Sequence, residues 1–514
     1  MSRTLRRLPL LLLAPLLLGA GLTPQEERGR RIYVDSTSPS GAEITASLGQ
    51  GVEVEATAVP CASCHGRDGK GRPEGGVTPT DITWSSLTKP YGVVHPGGRR
   101  HPPYDERSMR RAVAMGFDPA GNELHVAMPR YRMSRQDMDD LVAYLKRLGE
   151  ETDPGVGETA LRIGLLPPPP GPLEPMGRAV RAALAARLAA VNADGGIYGR
   201  RLDLVPLEVP PGDRRAGVAA ALQRQEVFAA VAAFLTGENA GLAAAFQEAR
   251  VPLIGPFTLH PREDLPLNRY VYHLQPGTES QARALVRFVR QDPGAGAPRP
   301  AVLAPREKEL DAAVETVEKA CQRWAPLTVL RYERAPFSPD MLAAKLSAEK
   351  ADPIFFLGSG AEAAGLARAL ETLGRHPRLL VTGAAAEAEL FSLGASFGGR
   401  IYAALPAPAA LEGPAAARYR ALAEAHALPS EHLSAQLAAL AAAEVLIEGL
   451  KRAGRDLDRE SFVETLEGLR QLQTGYSPPV SFGAGRRLGA QGAYVYAVER
   501  TGGLAASGIW IDAE

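Results

Sequence analysis

The chain has 514 residues, enough for about three compact units, with 45% hydrophobic and 23% charged residues. That balance excludes whole-chain disorder and a polytopic membrane protein. Lys and Arg number 58 against 58 Asp and Glu, so no polyanionic partner is implied and nucleic-acid binding is not expected.

The first element reads as a secretory signal over residues 1–23. Arg3, Arg6 and Arg7 form a positive start, Leu8 to Leu18 an apolar run, and Gly19, Ala20 and Gly21 a small-residue cleavage zone. The run is too short for the ~20 residues of a bilayer-spanning helix. No cysteine follows it to carry a lipid anchor. The expectation is export to the periplasm, where losing the three arginines leaves a net charge of −3.

Next comes Cys61-Ala62-Ser63-Cys64-His65. C-x-x-C-H is the attachment signature of c-type haem. Two thiols on one helical turn reach both vinyl groups of one porphyrin, and the following imidazole meets the iron. A thioredoxin-like pair would want a βαβ setting, whereas Gly66, Gly69 and Gly71 read as a loop. A zinc site would want a second C-x-x-C, which the sequence lacks. One covalent haem c on Cys61 and Cys64 is expected, with His65 on the iron.

Downstream, His95 and His101 lie in a Pro/Gly/Arg-rich loop, and Arg99, Arg100, Arg107, Arg110 and Arg111 form a basic cluster. Such a cluster is either a solvated face or a partner for propionates or an acidic protein patch. Met115, His125, Met128 and Met133 are all near enough in sequence to supply a distal ligand. A helix follows over Ser134–Leu148, where Met138, Leu141, Val142, Leu145 and Leu148 recur at helical spacing.

With CASCHGRDGKG, then Met128-Pro129 before a helix bearing Tyr144, residues 24–148 resemble class I c-type cytochromes. The resemblance implies an all-α cytochrome c domain with His65 proximal and Met128 distal. A thioether on the iron favours the reduced state and suits an electron carrier.

The stretch GEETDPGVGE, Gly149 to Glu158, marks a linker over residues 149–159. Beyond it, buried strands are predicted at Leu161–Leu166, Arg201–Glu208, Val227–Leu235, Val251–Ile254, Tyr270–Leu274, Ala301–Ala304, Pro353–Leu357 and Leu379–Thr382. Helical patterns lie between them at Met176–Asn192, Gly241–Ala249, Glu279–Arg290, Glu309–Trp324 and Ala361–Leu373. This alternation argues for parallel sheets covered on both faces. The length argues for two lobes. Cys321, in a helical pattern, reads as a small buried hydrophobe.

The turn Asn192-Ala193-Asp194-Gly195-Gly196-Ile197-Tyr198-Gly199-Arg200 ends the first of these helices. With VPLIGPFTLHP and RYVYHLQPG after it, residues 160–514 resemble type I periplasmic solute-binding proteins of the branched-chain amino-acid transporter class. The resemblance implies two Rossmann-like lobes closing on a small solute, amino-acid-like or otherwise organic, and an ABC permease as partner. It places candidate ligand contacts at Thr236, Glu238, Asn239, Phe257 and Thr258 in the first lobe and Ser359 in the second. For each, helix capping is the plainer alternative. The sequence departs from the family at Pro167–Pro170, where four prolines remove N–H donors from the first loop. It departs again at VPPGD, where an acidic residue commonly stands, so ordinary amino-acid specificity is not expected.

No nucleophile–base set, phosphate-binding loop or metalloprotease helix appears, and a haem with two protein ligands has no open position. The chain is therefore expected to be no enzyme. The leading reading is an exported electron carrier joined to a solute-binding domain, its redox partner a periplasmic dehydrogenase, another cytochrome or an oxidase. Alternatives are an acceptor or accessory subunit of such a dehydrogenase, a transport receptor with a structural haem, and a peroxidase or gas sensor with an open distal site.

Overall fold

The computed structural model describes residues 22–513 except 50, 72–76, 96, 151, 211, 237–238, 263–264, 292–297, 323 and 387. The chain divides into two compact units between Thr152 and Asp153. The expected signal segment lies outside the described residues up to position 21. Leu22 and Thr23, assigned to it from sequence, belong instead to the folded unit. Leu22 packs on the core, and the Thr23 side chain caps the first helix, Pro24–Asp35, in a box with Glu26. A cut within Gly19–Gly21 would leave both in place.

In the first unit, Pro24–Asp35 crosses the C-terminal helix Arg135–Leu145, which Ser134 caps. Their contact is close because position 29 has no side chain: a Cβ there would lie 2.0 Å from the Asp140 carbonyl oxygen. Arg28 grips the Asp140 carboxylate at 2.7 and 3.0 Å, and Tyr33 meets Tyr144 with ring centroids 5.6 Å apart. Ile32, Met109, Leu141, Leu145 and Leu148 complete the core. The sequence predicted an all-α unit; beside these helices the structure adds two small sheets. Val52–Glu55, Thr45–Leu48 and Arg130–Arg132 form an antiparallel sheet, and Val93–Val94 pairs with Arg100–His101. The turn at Gly49 and Gly51 and the alternation of Val52-Glu53-Val54-Glu55 make that hairpin, a period of two in a region where only helical periods stood out.

The predicted linker is largely absorbed by its neighbours. Leu148 is buried in the first core, and a Cβ on Gly149 would meet Thr83 at 2.8 Å. Asp153 accepts from the Arg459 backbone N–H at 2.5 Å, and the buried Arg459 guanidinium donates to the Phe228 and Val227 carbonyls at 3.1 and 2.7 Å. Val156 already belongs to the second unit's core.

The second unit contains two sheets. The first runs Val271–Tyr272, Leu253–Ile254, Ala229–Val231, Ala160–Leu165, Arg201–Pro206, all parallel. The second runs Thr328–Tyr332, Ala301–Pro305, Ile354–Phe356, Leu379–Thr382 and Ile401–Leu405 in parallel. Gly492–Glu499 then joins antiparallel and pairs Gly503–Leu504 and Ile509–Asp512. All eight predicted strands are present within these sheets, although their ends differ by a few residues.

The chain passes between the lobes three times. Helix Thr278–Gln291 packs on the second sheet, whereas Leu433–Ala453 and the segment to Phe482 return to the first-lobe core. Gly492–Glu499 then goes back to the second. Leu433–Ala453 is long and apolar enough to cross a membrane, but 72% of its most apolar window is buried within the fold, as in a core helix.

Candidate functional site

Cys61–His65 is a single helical turn. Tyr131 holds its entry by donating to the Val59 carbonyl at 2.5 Å, and Tyr33 holds its exit by donating to the Gly66 carbonyl at 2.6 Å. The loop then folds back under the helix, with Gly71 N–H donating to the His65 carbonyl at 2.8 Å. Gly71 has φ +81°, and a Cβ there would lie 2.3 Å from the Pro79 carbonyl oxygen.

Neither cysteine is in a disulfide; Cys61 is half-buried and Cys64 exposed. Burial pushes the Cys61 thiol up to about 11, so it rests as a thiol. His65 Nδ1 lies 3.1 Å from the Thr80 carbonyl oxygen. That bond takes the Nδ1 proton and leaves the Nε2 lone pair for a metal, the usual orientation of a ligating imidazole. Burial lowers the His65 pKa and keeps the ring neutral, with the Thr80 bond opposing that shift. Two cysteines three residues apart and one oriented imidazole are the donor set a covalent haem c needs.

Met128 stands half-buried on a separate loop. Its N–H donates to the His125 carbonyl at 3.0 Å, and Arg130 clips the loop through the Met128 and Leu124 carbonyls. Three residues on, Tyr131 makes the bond to Val59, so this strand joins the methionine loop to the segment entering Cys61. Met133 packs against the apolar core. Met115 is 61% exposed at a helix end, and His125 is an exposed turn residue whose Nδ1 accepts from Ala127 N–H at 3.2 Å. The basic cluster is largely paired internally: Arg99 with Asp118 at 2.8 Å, and Arg110 with Asp139.

In the second unit the candidate contacts separate. Thr236 Oγ1 and Asn239 Oδ1 are buried without a hydrogen-bond partner among the described residues, as expected of groups awaiting a ligand. Phe257 stacks on Phe234 at 4.6 Å beside them. Thr258 Oγ1 accepts from His260 N–H at 3.0 Å and so shapes a turn. Glu238 lies outside the described residues. Ser359 caps helix Gly360–Thr372 in a box with Glu362, as the plainer alternative had it.

Sequence reading missed several residues at these strand ends. Arg214 donates to the Pro167 and Phe234 carbonyls at 2.9 and 3.1 Å. Thr382 Oγ1 is buried without a partner at the end of its strand. Arg334 joins Glu307 to Glu362, whose Oε2 it meets at 2.7 Å. The only signal was position just after a strand, which says nothing about reach. A hollow lined by Glu318, Gln322, Trp324, Leu327 and Val329 lies at the amino end of Thr328–Tyr332, away from these groups.

A periplasmic binding protein family model matches residues 160–503, and a cytochrome c model matches residues 53–149. Among solved structures, a fatty acid ABC transporter substrate-binding protein from Thermomonospora curvata is similar at 16% identity, covering 70% of this chain and 94% of its own, with a TM-score of 0.56. A branched-chain amino acid ABC transporter protein from Thermus thermophilus with bound valine is similar at 17% identity, covering 69% and 97%, TM-score 0.56. A substrate-binding periplasmic protein from Ralstonia solanacearum is similar at 21% identity, covering 68% and 99%, TM-score 0.53. At such identities the likeness is one of fold. No curated protein matches the chain. With two thirds of its length in the matched region, the chain belongs to the periplasmic binding protein family and carries a cytochrome c domain ahead of the binding fold.

Proposed function

We propose that this is an exported electron carrier with one covalent haem c on Cys61 and Cys64, joined to a receptor for a small organic solute. The observation that carries the first half is the Cys61–His65 turn with His65 Nδ1 engaged by Thr80. Bound haem c supplies reversible one-electron transfer. His65, through Nε2, and Met128, through its thioether, would hold the haem iron. A haem held by both residues would offer no open position for catalysis, which fits a carrier and not an enzyme. Its redox partner is a periplasmic dehydrogenase, another cytochrome or an oxidase.

The unpartnered Thr236 and Asn239 atoms support the second half, and similar folds are named for valine and fatty acids. An ABC permease is the corresponding partner, and the leader ahead of Leu22 directs the chain to the periplasm.

A pyridine haemochrome assay should give one haem per chain, not extractable by acidified solvent. Cys61→Ala with Cys64→Ala should abolish attachment. Met128→Ala should lower the potential and admit carbon monoxide to the reduced protein, whereas Met115→Ala and Met133→Ala should not. Carbon monoxide binding to the unaltered protein would refute the carrier reading.

A further inference from the structure

The strand that leaves the methionine loop and the strand that leads into the Cys61–His65 turn belong to one small sheet. Arg130–Arg132 and Val52–Glu55 flank Thr45–Leu48, which pairs antiparallel with both, so the two outer strands run in the same direction. Thr45 stands opposite Glu55 and Arg132, and Ser47 opposite Glu53 and Arg130. Met128 therefore precedes one outer strand at one end of the sheet, whereas Cys61 follows the other from the opposite end. Pairing alone keeps the two segments apart.

A side chain closes that gap. After Glu55, Ala56 N–H donates to the Ile44 carbonyl at 3.1 Å, and the short turn Ala56–Ala58 ends with Val59 N–H donating to the Ala56 carbonyl at 3.0 Å. Tyr131 lies mid-strand and is 5% exposed, and its hydroxyl donates to the Val59 carbonyl at 2.5 Å. Burial, and after it the charge on Cys61, raise the Tyr131 pKa, which keeps the phenol protonated as a donor. A thioether accepts only weakly, so bonding of Cys61 to a porphyrin leaves that hydroxyl to Val59.

The methionine loop is itself a bracket. Arg130 donates to the Met128 carbonyl and, at 3.0 Å, to the Leu124 carbonyl. Met128 N–H donates to the His125 carbonyl at 3.0 Å, and Leu124 N–H to the Gly116 carbonyl at 2.8 Å. Arg130 fills the space beside Gly116, where a Cβ would lie 1.6 Å from its Nε. A bracket closed in this way moves as one piece, and a bond at its root fixes where the sulfur stands.

On the reading that Met128 is the distal ligand, we propose that Tyr131 is its positioning residue: the bond to Val59 ties the bracket to the segment entering Cys61 and sets how often the methionine swings clear of the iron. A competing ligand enters only in that open fraction, so its apparent affinity reports on the tie. Losing one neutral hydrogen bond should enlarge the fraction about fivefold.

The test is titration of the full haem-loaded ferric chain with imidazole, followed by loss of the far-red sulfur-to-iron absorption. Tyr131→Phe keeps the ring and removes the hydroxyl, and should bind imidazole about fivefold tighter. Val54 stands in the same row of the sheet, since Ala46 is opposite both it and Tyr131. Val54→Ala trims the core without touching the bond, and should lower the denaturation midpoint while leaving imidazole affinity unchanged. With 3-fluorotyrosine at position 131, a stronger donor, imidazole should bind more weakly, and that chain decides the matter if Tyr131→Phe takes up no haem. Equal affinity in all these chains, or a gain shared by Val54→Ala, overturns the proposal and leaves the tyrosine a purely structural role. Met128→Ala separates the two readings. If it changes neither absorption nor affinity, the ligand reading falls and this proposal with it. If it abolishes the absorption while Tyr131→Phe changes nothing, only the positioning role is lost.

Discussion

His273 is a buried imidazole whose Nδ1 has no hydrogen-bond partner among the described residues. Its backbone pairs with Arg487 and Gly489, at 2.8 and 2.7 Å, where the chain crosses between lobes. Burial lowers its pKa to about 4, against about 6.5 in an unfolded chain. The folded state therefore binds its proton less readily than the unfolded one. The associated stability is fully present above pH 6.5 and is lost as pH falls toward 4. Between pH 7 and pH 5 that loss is about 2 kcal/mol. His273→Leu should flatten the decline of stability over this interval by a comparable amount, measured by urea unfolding at the two pH values. An unchanged slope would place the titration elsewhere. Residues of this kind were invisible in sequence, since a histidine's burial depends on partners more than 200 positions away. The Cys61–His65 group was legible because its chemistry is local, requiring only one helical turn. Thr236 and Asn239 were legible because they follow a strand. The bonds of Arg214 and Arg334 were not, because they depend on how far a long side chain reaches after the strands are assembled.

At the scale of elements, helix Pro24–Asp35 and helix Arg135–Leu145 are held at a distance that only glycine at position 29 permits. Gly29→Ala places a methyl against the Asp140 carbonyl and Tyr144 Cβ, at 2.0 and 2.7 Å if nothing moves. Backbone atoms cannot swing aside as a side chain would, so the helices must separate. A loss of about 3 kcal/mol is expected, read as a lower denaturation midpoint of the haem absorption band. Apolar runs identified eight strands of the second unit, but five others described there escaped: Thr328–Tyr332, Ile401–Leu405, Gly492–Glu499, Gly503–Leu504 and Ile509–Asp512. They fall in alanine-, glycine- or charge-interrupted stretches, where pairing with an existing sheet supplies what local pattern lacks. Helix Leu433–Ala453 was missed for the opposite reason. It is apolar on nearly every side, so no stripe stands out.

Across the whole molecule, the apolar core of the first unit draws on residues 22–148 and those of the second on residues 156–511. Denaturant unfolding should therefore be biphasic, one phase followed by haem absorbance and the other by far-ultraviolet dichroism. A bound solute should raise only the second midpoint. Coincident phases would show that the units unfold as one.

The first lobe's core combines residues 156–274 with residues 435–482, and Arg459 ties down Asp153 from 306 positions later. A chain emerging from its amino end thus completes everything needed for haem attachment while this lobe still lacks a third of its walls. Maturation has a direction: the redox group can be installed on a finished support first, and the receptor becomes competent only when nearly the last residue has arrived. A chain cut short before Leu433 would then keep its colour and lose its appetite for solute.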